Sequence, residues 1–167
     1  MDWSGIYQET FPDLVRFFHR KVWDTERARD LAQEVFVRAL SEEPERPRAF
    51  LFTVAANLAR DEARTVLRRR RHLTLLKGEA SGRIAKDDPQ RDMEEKEQWE
   101  RVRSALESLA ERDQEVLLLW EAGMNYSEIS DETGLAVSAI GTTLARARKR
   151  LVAAYEIAER EGHVARQ

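Results

Sequence analysis

The chain has 167 residues, no cysteine and a formal charge of −3 from 28 basic and 31 acidic side chains. That length accommodates one ordinary domain or two small ones, and the lack of cysteine excludes disulfide frameworks, thiol nucleophiles and thiolate zinc sites. No apolar run exceeds five residues, whereas a membrane span needs about 20, and the N-terminus lacks signal-peptide features, so we expect a soluble intracellular protein.

Glycine and proline, which interrupt helices most strongly, are scarce in this sequence. The stretches between them are rich in Ala, Leu, Arg and Glu and lack the alternation of strands, which favours helices. We therefore predict an all-α protein. Segments 13–43, 48–77 and 90–122 contain neither glycine nor proline, and these two residue types cluster at 5–12, 44–47, 78–89, 123 and 134–141.

Residues 24–40 contain apolar side chains at helical spacing, which predicts a helix with one wide buried stripe. Asp24 or Thr25 can cap its start, because a short side-chain oxygen accepts a hydrogen bond from a first-turn amide. Pro47 suits the first position of the next helix, which is expected to run to about Arg71. The predicted stripe consists of Ala28, Leu31, Ala32, Val35, Phe36, Ala39 and Leu40.

A polar stretch separates the two halves of the chain. Residues 77–97 offer little that a core could bury, so we predict a flexible acidic linker there, in which a helix can begin again from about Asp92. A new helical stripe begins at Trp99. The expected organisation is two small helical domains, 1–76 and 98–167, joined by that polar linker.

Charge is unevenly distributed along the chain. Residues 60–72 and residues 138–151 each carry a local charge of +4, whereas residues 79–100 carry −4. Basic patches bind phosphate backbones by counterion release, although one patch alone can equally be a solvated helix end. Two patches, one of them within the pattern described next, favour a nucleic-acid partner.

Residues 126–144 have the spacing of a helix-turn-helix. Gly134 is expected to supply the left-handed turn, and Ile129 and Ile140 to face inward on the two helices. A plain helical hairpin is the alternative for this segment alone. The first outward turns of the second helix offer no side chain suited to bidentate base contacts, which predicts weak base readout. The residues expected to face a major groove are Ser138, Ala139, Thr142, Thr143, Arg146 and Lys149.

Two motifs, one in each half of the chain, match the pattern of a known family. The N-terminal motif comprises 30–39, Asp-Leu-Ala-Gln-Glu-Val-Phe-Val-Arg-Ala, and 47–61, which begins Pro-Arg-Ala-Phe-Leu. The C-terminal motif comprises 109–119, 126–129 and 144–151. In this order they resemble the second and fourth regions of the extracytoplasmic-function (ECF) sigma factors of bacterial RNA polymerase.

The resemblance implies a dissociable initiation subunit that has no active site, metal or cofactor of its own. Its partners would be core RNA polymerase, double-stranded promoter DNA, the melted non-template strand and an anti-sigma factor, in the bacterial cytoplasm and without a membrane or small-molecule substrate. The first domain would bind core and recognise and melt the minus-ten element, and the second would recognise the minus-thirty-five element. The residues agree, because the three histidines are far apart and no nucleophile motif or phosphate loop is present.

The resemblance also assigns two outward helix faces in the first domain. One binds the largest polymerase subunit, and the other lies on minus-ten DNA, where Asn57 can bond a base edge and arginines hold phosphates. Asp61 can alternatively pair with Arg64 or Arg68. The acidic loop 41–46 corresponds to the segment that captures a flipped non-template base. The polymerase face is Asp30, Gln33, Glu34, Val37 and Arg38, and the minus-ten face is Asn57, Asp61, Arg64, Arg68 and Arg71.

Two other functions fit part of the sequence. A helix-turn-helix regulator would bind DNA without joining polymerase, and the N-terminal motif argues against it. A helical protein-interaction module would bind no DNA even at low salt, so a salt titration separates it from the other two. Co-elution with core polymerase distinguishes the sigma factor from the regulator.

Overall fold

Helices form all the regular structure in the described part of the chain, as the sequence predicts. The computed structural model describes residues 1–77 and 93–164, and for 66, 67 and 69–77 it describes the backbone alone. None of the helices in those ranges is both long and apolar enough to cross a membrane. The helices are α1 (Trp3–Val22), α2 (Thr25–Ala39), α3 (Pro47–Lys77), α4 (Met93–Glu107), α5 (Glu111–Glu121), α6 (Tyr126–Thr133) and α7 (Val137–Val164).

The chain divides into two compact units, Met1–Asp87 and Asp88–Gln167. Unit 1 contains α1, α2 and α3, and unit 2 contains α4 to α7. The linker predicted over 77–97 lies largely outside the described residues, and α4 begins within that range, at Met93. The functional boundaries drawn from the sequence remain predictions.

Helix α1 passes through Gly5 and Pro12, although glycine and proline are the residues that most often interrupt a helix. Asp2 caps the helix by accepting a hydrogen bond from the Gly5 N–H at 3.1 Å, and a Cβ on Gly5 would lie 2.5 Å from the other carboxylate oxygen. Pro12 removes one backbone donor from the helix interior. The helix continues because the turns around Pro12 bury Phe11 and Leu14, so that packing overrides local propensity.

The segment 13–43, free of glycine and proline, is two helices rather than one. Trp23 adopts a left-handed backbone with φ of 57°, and its N–H donates to the His19 carbonyl at 2.9 Å, which ends α1. Asp24 then caps α2 by accepting from the Arg27 N–H at 3.1 Å, as predicted. A non-glycine residue seldom adopts this conformation, so the predicted cap at Asp24, rather than Trp23, is the sequence signal for the break.

The core of unit 1 is built from facing stripes on α1, α2 and α3. Tyr7 stacks on Phe11 with ring centroids 4.6 Å apart, and Phe17 meets Phe52 edge-on at 5.9 Å. Six of the seven residues predicted for the α2 stripe are buried, but Leu40 is 59% exposed. It follows the last residue of α2, and helical spacing places it at the edge of the stripe, on the side of the exposed residues Gln33 and Val37.

Unit 2 packs α4, α5 and α6 against α7, and α4 lines a cleft beside the C-terminal half of that helix. Leu106, Val116 and Leu119 from the first two helices are buried together with Ile129 of α6 and Leu144 of α7. Asn125 and Glu128 form a capping box at the start of α6, each side chain accepting from the backbone of the other at 2.8 and 3.0 Å. The short α6 therefore has a fixed start as well as a buried face.

Candidate functional site

The outer face of α2 carries the predicted polymerase-binding residues. Helical spacing puts them opposite the buried stripe of the same helix. The guanidinium of Arg38 donates to Glu34 at 2.7 Å, within the helix. Val37 is 69% exposed and lies one helical turn before exposed Leu40, so the face has an apolar centre that the sequence only partly predicted. Asp30, Gln33, Val37 and Arg38 are exposed and Glu34 is half-buried.

The polar stripe of α3 is exposed along its described length. The side-chain oxygen of Asn57 accepts from Arg60 at 2.7 Å, so Asn57 already has one partner on its own helix. Asp61 and Arg64 approach to 4.0 Å with both side chains about two-thirds exposed, which is a weak pair. Arg68 is exposed. The side chain of the fifth predicted residue, Arg71, lies outside the described residues.

A bidentate ion pair joins α2 to α3 beside this stripe. Arg27 at the start of α2 donates from Nε and from a terminal nitrogen to the two carboxylate oxygens of Glu62, each at 2.8 Å. The hydrogen bonds that Arg27 donates to Glu62 are the main reason that the pKa of Arg27 is raised above its ordinary value. The two residues are 35 positions apart, and helical periodicity gives no signal for such a contact. The pair holds α3 against α2 next to the exposed residues Asp61 and Arg64.

The loop between α2 and α3 is exposed and acidic. Glu42, Glu43 and Glu45 all project from it into solvent. Asp13 holds the adjoining start of α3, because its carboxylate accepts from Arg48 at 2.9 Å. In the described ranges, no three acidic or histidine side chains gather as ligands for a metal ion.

The turn of the predicted helix-turn-helix has the expected geometry. Gly134 is left-handed, with φ of 77°, and its N–H donates to the Ser130 carbonyl at 2.9 Å. The Ser130 hydroxyl donates to the Leu135 carbonyl at 2.6 Å, which ties the end of α6 to the turn. Ile129 and Ile140 are both fully buried, as the sequence predicts. The spacing of the motif therefore corresponds to a real pair of packed helices.

One predicted groove-facing residue of α7 is wrongly assigned. Thr143 is only 5% exposed, because it lies three residues after Ile140 and four before Ala147, within the buried stripe. Ser138 and Thr142 are exposed as expected, and Ala139 is half-buried. The outward face at the start of α7 is thus narrower than the sequence predicted.

Gly141 lies against an aromatic ring of α6. A Cβ at this position would be 3.4 Å from the ring and from the hydroxyl of Tyr126. The Tyr126 ring also meets Trp120 with centroids 5.3 Å apart, and the Arg148 guanidinium lies 5.9 Å from the Trp120 centroid. An aromatic cluster therefore borders the outer face of α7.

A buried carboxylate engages two of the five lysine and arginine side chains in α7. Asp113, in the first turn of α5, is 1% exposed. It accepts hydrogen bonds from Arg146 at 2.8 Å and from Arg150 at 3.4 Å. The hydrogen bond and the charge of Asp113 raise the pKa of Arg146 above its ordinary value. The sequence analysis missed Asp113, because an acid in a first helical turn is normally an exposed, dipole-favoured residue.

Comparisons with known proteins cover both units. Residues 6–71 match the family Sigma-70 region 2, and residues 99–151 match Sigma-70, region 4. The chain is 28% identical over 154 residues to RNA polymerase sigma factor YlaC of Bacillus subtilis (strain 168), covering 89% of this chain and 88% of that protein. It is 32% identical over 149 residues to ECF RNA polymerase sigma factor EcfG of Rhodopseudomonas palustris (strain TIE-1), covering 85% and 78%.

Two solved structures have a similar fold. The sigma factor RpoE from Bartonella quintana, in complex with the anti-sigma factor NepR, matches with a TM-score of 0.68 at 22% identity, covering 93% of this chain and 98% of that one. CnrH, in complex with the cytosolic domain of CnrY, matches with a TM-score of 0.65 at 23% identity, covering 92% and 87%. At these identities the likeness extends to the fold.

Proposed function

This chain belongs to the ECF RNA polymerase sigma factors, and we propose how its two units divide the work of starting transcription. As an alternative sigma factor it directs transcription by RNA polymerase. Proteins of this kind are regulatory, and the chemistry of RNA synthesis belongs to the polymerase. We assign the chain to the bacterial cytoplasm, where the polymerase acts.

Unit 1 is proposed to bind core polymerase through the outer face of α2. The observation that carries this proposal is an exposed apolar centre, Val37 and Leu40, next to the polar side chains of Gln33 and Arg38. Protein interfaces commonly have an apolar core and a polar rim. The opposite side of α2 is buried within unit 1, so the outer face is the one available to a partner.

The stripe on α3 is proposed to contact the minus-ten element. Arg64 and Arg68 are exposed, and the 4.0 Å pair of Arg64 with Asp61 is weak enough to yield to a phosphate. Asn57 would bond a base edge after exchanging its contact with Arg60. The melted non-template strand would then pass the exposed loop 41–46.

Unit 2 is proposed to recognise the minus-thirty-five element through the start of α7. Ser138 and Thr142 would face the major groove, with Lys149 and the arginines further along holding phosphates. Small hydroxyl and methyl groups make few bidentate base contacts, so affinity should depend mainly on phosphates. This feature predicts strongly salt-dependent binding.

An anti-sigma factor is the proposed regulatory partner. RpoE from Bartonella quintana is seen in complex with the anti-sigma factor NepR, and it shares the fold of this chain. We propose that such a partner covers the outer face of α2 or the groove-facing side of α7. Either contact would block a surface that initiation requires.

The experiment that tests this function measures competition for core polymerase. We expect Gln33→Ala combined with Arg38→Glu to lower the affinity for core by roughly tenfold or more, because two interface contacts at about 1 kcal/mol each are lost. The measurement is displacement of a labelled reference sigma factor from core enzyme by the full chain. Helix content and melting temperature should stay nearly unchanged, since both side chains are exposed.

A matched control uses the same two chemical changes on another helix of unit 1. Gln8→Ala with Arg16→Glu alters exposed residues of α1 and should leave competition unaffected. Equal competition by the α2 variant and the unmodified chain would contradict the proposed interface. A chain that binds duplex DNA but never displaces the reference sigma factor would instead be the helix-turn-helix regulator.

A further inference from the structure

We propose that Asp113 is an internal counterion of α7, which limits how strongly this helix neutralises promoter phosphates. The inference rests on the proposed contact between α7 and DNA. Three residues form the cluster: Asp113, the buried carboxylate in α5, and its two partners Arg146 and Arg150. Such a group would keep unit 2 from binding any duplex too tightly.

The burial of Asp113 makes its arginine partners hard to remove. The residue is 1% exposed, so water cannot replace the guanidinium groups that its two oxygens engage at 2.8 and 3.4 Å. Rotation of both arginines toward DNA would leave a buried carboxylate without compensation, which is strongly unfavourable. We therefore expect Arg146, the closer partner, to remain on Asp113 when DNA is bound.

The surface that DNA meets consequently carries less charge than its arginines suggest. Arg146 and Arg150 are about half exposed, with side-chain exposures of 48% and 59%, so their remaining N–H groups can still reach a phosphate. Together with Asp113 they contribute a net charge of +1 rather than +2. Lys149, between them in sequence, is exposed and forms no ion pair with any described residue. It retains its full charge for DNA.

The same contacts also join α5 to α7, so a purely structural role has to be separated from an electrostatic one. A structural brace affects the melting temperature, whereas an internal counterion also affects the salt dependence of DNA binding. The logarithm of the binding constant falls with the logarithm of salt concentration by about 0.9 per phosphate neutralised. Removing the carboxylate should therefore steepen this slope by up to about 0.9.

The test compares Asp113→Asn with Glu111→Gln in the full chain. Both variants remove one negative charge from the first turn of α5, but Glu111 is exposed and forms no ion pair with a described residue. Binding to a fluorescein-labelled duplex of mixed sequence is followed by anisotropy from 50 to 200 mM salt. For Asp113→Asn we expect tighter binding at low salt. The ratio of the Kd at the highest salt concentration to the Kd at the lowest should be about three to four times larger than for the unmodified chain. For Glu111→Gln we expect little change.

A double variant identifies the cation that Asp113 restrains. Asp113→Asn with Arg146→Gln removes one charge of each sign and should restore the original slope. If Asp113→Asn prevents folding, Asp113→Leu removes the same charge with a side chain suited to a buried position, and the same steeper slope is expected. An unchanged slope, weaker binding, or an equal effect of Glu111→Gln would overturn the inference. No binding by the unmodified chain, even at the lowest salt, would instead contradict the proposed DNA contact.

Discussion

Two glycines in the helix-turn-helix should respond oppositely to the same substitution. Gly141 lies inside α7 with a helical backbone, where alanine is favoured over glycine by about 0.5–1 kcal/mol. A Cβ there would be 3.4 Å from Tyr126, an ordinary contact with a side chain that is 38% exposed and can shift. We therefore expect Gly141→Ala to stabilise unit 2 by up to about 1 kcal/mol.

Gly134 provides the opposing case because its backbone is left-handed. A Cβ at this position would meet no atom within 4 Å, so space does not limit the substitution. The φ of 77° does limit it, since an L side chain in this region costs about 1–2 kcal/mol. Gly134→Ala should therefore destabilise unit 2 by that amount, and the two variants should differ in stability by about 1.5–3 kcal/mol.

Calorimetry of the full chain measures both effects in one experiment. A change of 1 kcal/mol shifts the melting temperature of a domain of this size by about 4–8 °C. The transition of unit 2 should move up for Gly141→Ala and down for Gly134→Ala, while that of unit 1 stays in place. A loss of stability in Gly141→Ala as large as in Gly134→Ala would refute the reasoning, and would mean that the Tyr126 ring cannot move to accept a methyl group.

The remaining predictions concern DNA contacts. Arg64→Ala with Arg68→Ala should flatten the salt slope of holoenzyme binding to promoter duplex by about 1.8, the value for two lost phosphate contacts, and an unchanged slope would exclude those contacts. Thr143→Arg should destabilise unit 2 by about 1–3 kcal/mol or more, because Thr143 is buried and a larger side chain does not fit there. Thr142→Arg, on the exposed face, should change stability by less than about 0.5 kcal/mol and steepen the salt slope by up to about 0.9. Equal melting temperatures for these two variants would contradict the assigned rotation of α7.

The sequence predicted the elements for which the local preferences of the residues agree with the packing of the folded chain. The cap at Asp24 and the left-handed turn at Gly134 are both confirmed, because each depends on a residue type with one strong local preference. The fold class follows from composition and spacing in the same way. None of these features depends on a contact with a residue that is distant in the sequence.

Most of the errors and omissions depend on contacts between distant parts of the chain. Helix α1 continues through Pro12 because its flanking apolar residues are buried by other helices. Thr143 was predicted to face outward because it is polar, although its spacing from Ile140 and Ala147 assigns it to the buried stripe. Asp113 and Arg146 are 33 residues apart, so only the fold brings them together. The partner-binding roles proposed for residues on α2 and α3 come from family resemblance, and they remain predictions.

The most direct test of the central claim is run-off transcription with purified core RNA polymerase and this chain over a library of promoter fragments. We predict transcripts that require the full chain, start at defined positions and come from fragments that share a minus-ten and a minus-thirty-five element. Gln33→Ala with Arg38→Glu should reduce these transcripts, and Gln8→Ala with Arg16→Glu should not. If core polymerase with the full chain yields the same transcripts as core polymerase alone, although the chain binds duplex DNA, the account of this protein as an initiation factor is contradicted.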